Sequence, residues 1–384
     1  MKKIGKQVLM LTTGEGNPRN GEGAFVRLNN GVIMYAYTEY YGVDWCDDAP
    51  ARICVCCSSD EGESWSSPRV LIEKDEDARN IMSPSIFRMK NGELGIVYLR
   101  KTKDDVGGIY CMPVFSYSAD EGRSWSTPIL CCDELGYNCA ISDGAVVQRS
   151  GRILVPYSNH GKSFPSESFD YKKVDANTMM DEQGSVRIAY SDDNGRSWQL
   201  LQHEFRPSFG NDNTGFAEPG VYEHEDGTLW MWTRSAYGHQ YQSHSRDGGV
   251  TWSQTIPNFC FTSPDSPMRV KRVGRYTIAV FNPLSYNCLL GVRYGVKRTP
   301  FVCAVSTDDG HSFDTTGKTF VGGAFKSFDD SCFFLEDDYS DSYCYPSIME
   351  VKDGFIVAYY HSNGSSLIFN STKILKVYFS ELEG

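Results

Sequence analysis

The sequence predicts an all-β chain, a six-bladed β-propeller of four-stranded antiparallel blades, on three observations. An octapeptide occurs five times, a hairpin signal occurs six times, and the composition is rich in aromatic residues and glycine. Aromatics make up 13% of the 384 residues and 36 are Gly, a balance that favours strands joined by tight turns.

The octapeptide S-x-D-x-G-x-[ST]-[WF] runs from Ser58 to Trp65, Ser118 to Trp125, Ser191 to Trp198, Ser245 to Trp252 and Ser306 to Phe313. Its start-to-start intervals are 60, 73, 54 and 61 residues, the length of one four-stranded unit. The Asp carboxylate and the Ser or Thr hydroxyls can bond turn backbone, Gly supplies a positive φ, and the aromatic ring packs into the layer below. These Asp residues therefore read as structural.

Upstream of each octapeptide an X-Gly turn stands between strand-like runs: Asn30-Gly31, Asn91-Gly92, Ser150-Gly151, Asp226-Gly227 and Val273-Gly274, with a sixth at Asp353-Gly354. Six hairpins imply six blades. The sixth lacks an octapeptide, and the N-terminal run Lys6 to Leu11 is free to complete its sheet. The chief departure is a polar, irregular stretch from Asn159 to Gly184, expected to be a loop over one face of a single domain spanning 1–384.

The net charge of -12 argues against nucleic-acid or anionic-membrane partners, because phosphate affinity comes from surplus Lys and Arg. No apolar run approaches the roughly 18 residues of a spanning helix, and Met1-Lys2-Lys3 precedes only a short apolar stretch, so the chain is expected to be cytoplasmic unless a leader was removed. Thirteen Cys, several adjacent, are expected to be reduced core thiols. The seven His show no H-x-H or H-x-x-x-H spacing, and phosphate and dinucleotide motifs are absent, so neither metal nor cofactor is expected.

The octapeptides resemble the Asp boxes of the sialidase (neuraminidase) superfamily, and the likeness extends from about Arg19 to Tyr360. Phe216-Ala217-Glu218-Pro219 before Asp226-Gly227, with Trp232-Thr233-Arg234 after it, matches the family's fourth-blade Glu and Arg. Arg298 stands where the family places the last Arg of a carboxylate clamp. Tyr345 matches its sixth-blade Tyr, with Tyr343 in reserve. Asp47, eleven positions ahead of Ser58, matches its acid/base Asp, with Asp48 and Asp44 close by.

Two departures accompany the match. Gly21 occupies the position of the first clamp Arg, which leaves Arg19 to reach that space from two residues upstream. Arg79-Asn80-Ile81-Met82-Ser83-Pro84 resembles a second-blade segment of the family but carries Ser83 where an Asp holds the substituent on the sugar's amine.

The resemblance implies an exo-acting retaining glycoside hydrolase on a sialic acid or related acidic sugar. Its nucleophile would be Tyr345, its base Glu218 and its acid/base Asp47, with Arg234, Arg298, Arg19, Asp48 and Arg79 binding substrate and no cofactor. A planar guanidinium suits a carboxylate, and a neutral phenol attacks beside that carboxylate without charge repulsion. Two alternatives stay open: the same fold acting on another acidic sugar, and a catalytically silent carbohydrate-binding propeller. The partner in each case is a carbohydrate, and the oligomeric state is not specified.

Overall fold

In the computed structural model, residues 1–103, 108–161, 183–207, 215–284, 298–313, 331–364 and 369–383 are described. The N-terminal strand β1 (Lys6–Leu11) is followed by blade 1, made of β2 (Arg19–Arg27), β3 (Ile33–Tyr40), β4 (Ala51–Ser58) and β5 (Arg69–Ile72). Blade 2 is β6 (Asn80–Arg88), β7 (Leu94–Lys103), β8 (Ile109–Ser118) and β9 (Ile129–Leu130). Blade 3 contains β10 (Asn138–Cys139), β11 (Val146–Val147), β12 (Ile153–Asn159), β13 (Ser185–Ser191) and β14 (Gln199–Leu200).

Blade 4 is β15 (Ala217–Glu223), β16 (Leu229–Arg234), β17 (His239–Ser245) and β18 (Ile256–Thr262). Blade 5 is β19 (Arg269–Val273), β20 (Tyr276–Phe281), β21 (Phe301–Ser306) and β22 (Cys332–Glu336). Blade 6 takes β23 (Tyr343–Val351), β24 (Gly354–His361) and β25 (Ser371–Tyr378), and β1 adds its outer strand, in the order β1-β25-β24-β23. The N-terminal run thus closes the ring, and one turn of helix, α1 (Phe379–Leu382), follows β25. Blade 3 departs from the expected four strands: its innermost strand is broken, and β10 and β11 each pair with β12.

The core is a set of layers between neighbouring blades, each blade burying both faces. Val26 and Ile53 meet Ile86 and Ile96 between blades 1 and 2, and Phe115 meets Val155 between blades 2 and 3. Ile188 meets Val221, Trp232 meets Phe281, Ile278 meets Val357, and Ile356 meets Tyr35 around the rest of the ring. A strand buried on both faces reads as a continuous apolar run, as Phe355 to Tyr360 does, rather than as strict alternation. No described helix is long and apolar enough to cross a membrane.

The five octapeptides share one pattern of Ser, Asp and Gly hydrogen bonds. In the first, Ser58 Oγ donates to Asp60 (2.8 Å) and accepts from Gly62 N (2.8 Å), while Asp60 accepts from Ser64 N (2.9 Å) and Ser64 Oγ (2.5 Å). Gly62 sits at φ 83°, which a side chain would strain. The hydroxyl of Ser64, then its backbone N–H, hold the Asp60 carboxyl at about 2. The rings pack into the layer below to differing depths: Trp65, Trp125, Trp198 and Trp252 are half-buried, and only Phe313 is buried. The expected loop between Asn159 and Gly184 falls mostly on residues 162–182, outside the described residues.

Candidate active site

Every inner strand runs toward an X-Gly hairpin, so those hairpins and the octapeptides share one end of the propeller and the inner-strand starts lie at the other. There the register slips in four blades: between Gly21 and Gly23, Met82 and Ser85, Ala217 and Gly220, and Cys344 and Ser347. The residues at the slips, Glu22, Ser83, Glu218 and Tyr345, have φ of 52°, 54°, 47° and 54°. A bulge re-aims a side chain, and a left-handed non-glycine residue costs on the order of 1 kcal/mol or more. In blade 3 the break in the inner strand holds Asp143 at φ 58°. That residue crosses the axis to Lys271 Nζ (2.6 Å) and accepts from Ile348 N (3.2 Å), tying blade 3 to blades 5 and 6.

One of the four side chains is a phenol and another a carboxylate, and they meet. Tyr345 Oη donates to Glu218 Oε1, and the other oxygen of Glu218 accepts from Arg234 Nη1 at 2.6 Å. Arg234 is opposite Ala217 in the β15–β16 ladder, which brings it to the same end of the blade. Its remaining face is held by Asp265 at 2.5 and 2.9 Å. Arg298 packs over the Tyr345 ring, 5.7 Å from its centroid, and donates to Cys344 Sγ at 3.2 Å. The reserve candidate Tyr343 is buried between blades 5 and 6 against Phe301 and Tyr359 and stands away from this cluster.

Burial, then the Glu218 carboxylate, raise the Tyr345 phenol well above its ordinary value, against the pull of Arg234 and Arg298, so it rests protonated. Behind Glu218, Ser158 Oγ accepts from the Glu218 backbone N–H (3.3 Å) and bonds His160 Nε2 (3.0 Å). Burial, then the Arg234 charge, push His160 down to about 4 and keep it neutral.

The facing wall comes from blades 1 and 2. A Cβ on Gly21 would lie 1.7 Å from the Tyr360 ring, so Tyr360 fills the space a side chain there would need. Tyr360 Oη accepts from Arg19 Nε at 2.9 Å, and Arg19 Nη1 reaches Asp47 at 2.5 Å. Arg19 thus lines the cleft from two residues upstream of Gly21. The Asp47 side chain is 59% exposed. The cleft walls strip some of its water, but the Arg19 and Lys101 charges and the Arg19 hydrogen bond outweigh this and hold Asp47 at about 2.

Asp48 and Arg79 stand outside the cleft. Asp48 is buried and paired with Lys101 Nζ at 3.3 Å, because a buried ammonium requires a partner. Arg79 is half-buried at the start of β6, where its charge acts on Asp44. Asp44 itself turns back to accept from Cys46 N (3.0 Å) and shapes the loop.

The cleft is lined by Arg19, Glu22, Asp47, Lys101, Glu218 and Tyr345 among its polar groups, with Met82, Leu99 and Ala140 among the apolar ones. Three cations, Arg19, Arg234 and Arg298, gather with three carboxylates, Asp47, Glu218 and Asp265, with Glu22 as a fourth acid and Lys101 neutralised from behind by Asp48. Glu22, Asp265 and Lys101 were missed in the sequence. A signal existed for two of them: Glu22, Ser83, Glu218, Asp265 and Tyr345 each stand nine positions before a hairpin glycine, at Gly31, Gly92, Gly227, Gly274 and Gly354.

One group among the described residues has metal-binding composition. His224, Asp309 and His311 bring ligand atoms within 4.8 Å of one another, at the octapeptide end and away from the cleft. The Asp309 carboxylate there is already engaged by Tyr222 Oη (2.6 Å) and by Glu225 N.

Residues 40–358 match the family model described as a BNR repeat-like domain. A protein of unknown function from Dyadobacter fermentans DSM 18053 shares the fold at TM-score 0.68 and 16% identity, covering 97% of this chain and 99% of that one. The NanB sialidase of Streptococcus pneumoniae superposes at TM-score 0.66 and 12% identity, over 99% of this chain and 71% of that one. The Trypanosoma rangeli sialidase, in complex with 2,3-difluorosialic acid as a covalent intermediate, superposes at TM-score 0.67 and 16% identity, over 98% of this chain and 60% of that one.

Proposed function

The chain belongs to the BNR repeat-like domain family, and on that premise we propose that it is an exo-acting, retaining glycoside hydrolase of the sialidase type, acting on an acidic sugar. The contact between the Tyr345 hydroxyl and a Glu218 carboxylate pinned by Arg234 carries this reading. A binding module has no use for a buried phenol set against a base, whereas a glycosidase whose substrate carries a carboxylate at the anomeric carbon does.

In the first step the Tyr345 oxygen forms a bond to the anomeric carbon as the bond to the aglycone oxygen breaks. Glu218 takes the phenolic proton, and a protonated Asp47 supplies one to the leaving oxygen. In the second step Asp47 removes a proton from water, whose oxygen attacks the anomeric carbon from the face the aglycone left, opposite Tyr345, as the bond to Tyr345 breaks, and Glu218 returns the proton to the phenolate. Arg234, Arg298 and Arg19 anchor the sugar carboxylate, and Arg234 also orients Glu218. Asp47 starts ionised beside Arg19. A substrate carboxylate that draws Arg19 away removes that restraint and lets Asp47 gain its proton.

The test is a panel of fluorogenic α-glycosides of sialic acid, deaminated sialic acid and other acidic sugars, with NMR of the first-formed anomer. Release with retention from at least one is expected. In parallel, 2,3-difluorosialic acid, the ligand of the T. rangeli complex, is expected to add its glycosyl mass to wild type and not to Tyr345→Phe. No release from any acidic glycoside by folded protein would reject the reading.

A further inference from the structure

Glu22 takes no part in the mechanism above, yet it lines the same cleft as Tyr345 and Glu218 and sits on the same backbone device. In an unbroken strand, residues three apart point to opposite faces, so Glu22 would turn away from Arg19. The bulge between Gly21 and Gly23 adds one residue and returns Glu22 to Arg19's side, with Oε1 at 3.5 Å from Arg19 Nη2. Its other oxygen accepts from Ser83 Oγ. The side chain is 5% exposed.

Arg19 is therefore shared. Its short contact is with Asp47, its long one is with Glu22, and Tyr360 fixes its Nε. A sugar carboxylate that uses Arg19 enters a space already holding two acids. Lys101 is neutralised by Asp48 behind the cleft wall, and Arg19, Arg234 and Arg298 balance Asp47, Glu218 and Asp265, so an ionised Glu22 adds a negative charge without a cation of its own before substrate arrives.

We propose that Glu22 is a specificity-determining residue: protonated, it leaves Arg19 held by Asp47 alone and able to turn to a substrate carboxylate, and ionised, it closes the cleft to acidic sugars while admitting neutral ones. This rests on the acidic-sugar reading and adds how the cleft discriminates. The groups facing Glu22 are Arg19 on its own strand, Asp47 from the β3–β4 loop, Glu218 from β15, Tyr345 and Cys344 from β23, Tyr360 from β24, Tyr35 and Tyr40 from β3 and Cys111 from β8, with Lys101 of β7 lining the same cleft. Burial sets the balance and pushes the Glu22 carboxyl up to about 7; Arg19 opposes the shift, and Asp47 and Glu218 reinforce it. The proton is thus exchanged in the neutral range.

The experiment measures calorimetric affinity for 2,3-didehydro sialic acid and for its methyl ester between pH 5.5 and 8.5. If only protein with neutral Glu22 takes the acid, its affinity falls roughly thirtyfold by pH 8.5, while the ester's stays level. Glu22→Gln should flatten the acid's profile. Ser83→Ala, which removes the donor that favours ionised Glu22, should move the midpoint to higher pH and keeps the test alive if Glu22→Gln does not fold. Parallel profiles for acid and ester, or a fall that persists in Glu22→Gln, would overturn this inference alone. Binding of neither form at any pH would reject the acidic-sugar reading and this inference with it.

Discussion

The two ends of the propeller use repetition in opposite ways. At the octapeptide end, five loops spend one sequence on one task, and in each the Asp satisfies the same hydroxyl and backbone donors: Asp60, Asp120, Asp193, Asp247 and Asp308. At the axial end four blades repeat only the backbone, a left-handed bulge, and mount four different side chains on it: Glu22, Ser83, Glu218 and Tyr345. An element whose sequence repeats serves the backbone it sits in. One whose geometry repeats while its chemistry varies serves something outside the chain, and that is where reactivity is to be sought.

The largest expected effect breaks the axial end without touching the other. If the proposed hydrolysis holds, Tyr345→Phe and Glu218→Gln should each lower kcat by roughly a thousandfold or more on any acidic glycoside the protein cleaves. The double variant should be little worse than either single one, because the pair acts as a unit. Thermal melts should stay close to wild type. Multiplying losses in the double variant would mean that the contact between them carries no catalysis.

Next in size is Asp47→Ala. General-acid help is worth roughly a hundredfold or more where the aglycone leaves badly and far less where it is an activated phenol. Comparing an alkyl glycoside with a nitrophenyl one should show that gap. Equal losses on both would place the acid elsewhere.

The octapeptide end should answer in stability alone. Asp193→Ala removes the acceptor for Ser191 Oγ, Ser197 N and Ser197 Oγ, and should cost about 1–3 kcal/mol in chemical denaturation. Trp198→Ala should cost about 2–3 kcal/mol, less than the 3–5 of a fully buried ring, because Trp198 is half-buried against Phe115. Kinetic constants should not move in either. A kinetic defect in Asp193→Ala at unchanged stability would erase the contrast between the ends.

That contrast also explains what was legible in the sequence. Octapeptides, hairpin glycines and the closing strand Lys6–Leu11 answer backbone demands that only a few residue types meet, so the propeller could be read directly. The broken inner strand of blade 3 could not, since Ile141 to Gly144 carries no strong breaker until its final residue. Tyr345, Glu218, Arg234, Arg298, Arg19 and Asp47 came from family resemblance, and the structure gathers them at one end. Asp48 was placed with them by its proximity to Asp47 and Arg79 by the second-blade likeness, but Asp48 serves the buried Lys101 instead. Glu22 and Asp265 escaped because what a buried carboxylate does depends on partners far along the chain: Ser83 for one, Arg234 for the other.

The smallest expected effect is a division of pH sensitivity between the two ends. Asp60, Asp120 and Asp247 are held at about 2 against an ordinary 3.8, so the stability they confer is complete above 3.8 and lost as pH falls through 2. Glu22 runs the other way. Raised to about 7 from 4.5, it favours the fold in its protonated form, so that advantage is complete below 4.5 and lost as pH rises through 7. His160, pushed from 6.5 down to about 4, erodes stability between those values as pH falls, a window above that of the octapeptides. Between 4.5 and 6.5 the Glu22 and His160 slopes have opposite sign and offset one another, so melts of wild type from pH 2.5 to 8.5 should be nearly level there and fall at the octapeptide limb. Glu22→Gln should unmask the His160 loss as a fall of about a degree or a few from pH 6.5 to 4, and Asp120→Asn should shrink only the lowest limb. A profile between pH 4 and 7 that is unchanged in Glu22→Gln would mean that Glu22 is ionised throughout, and the axial end would then owe its selectivity to its arginines without help from a proton.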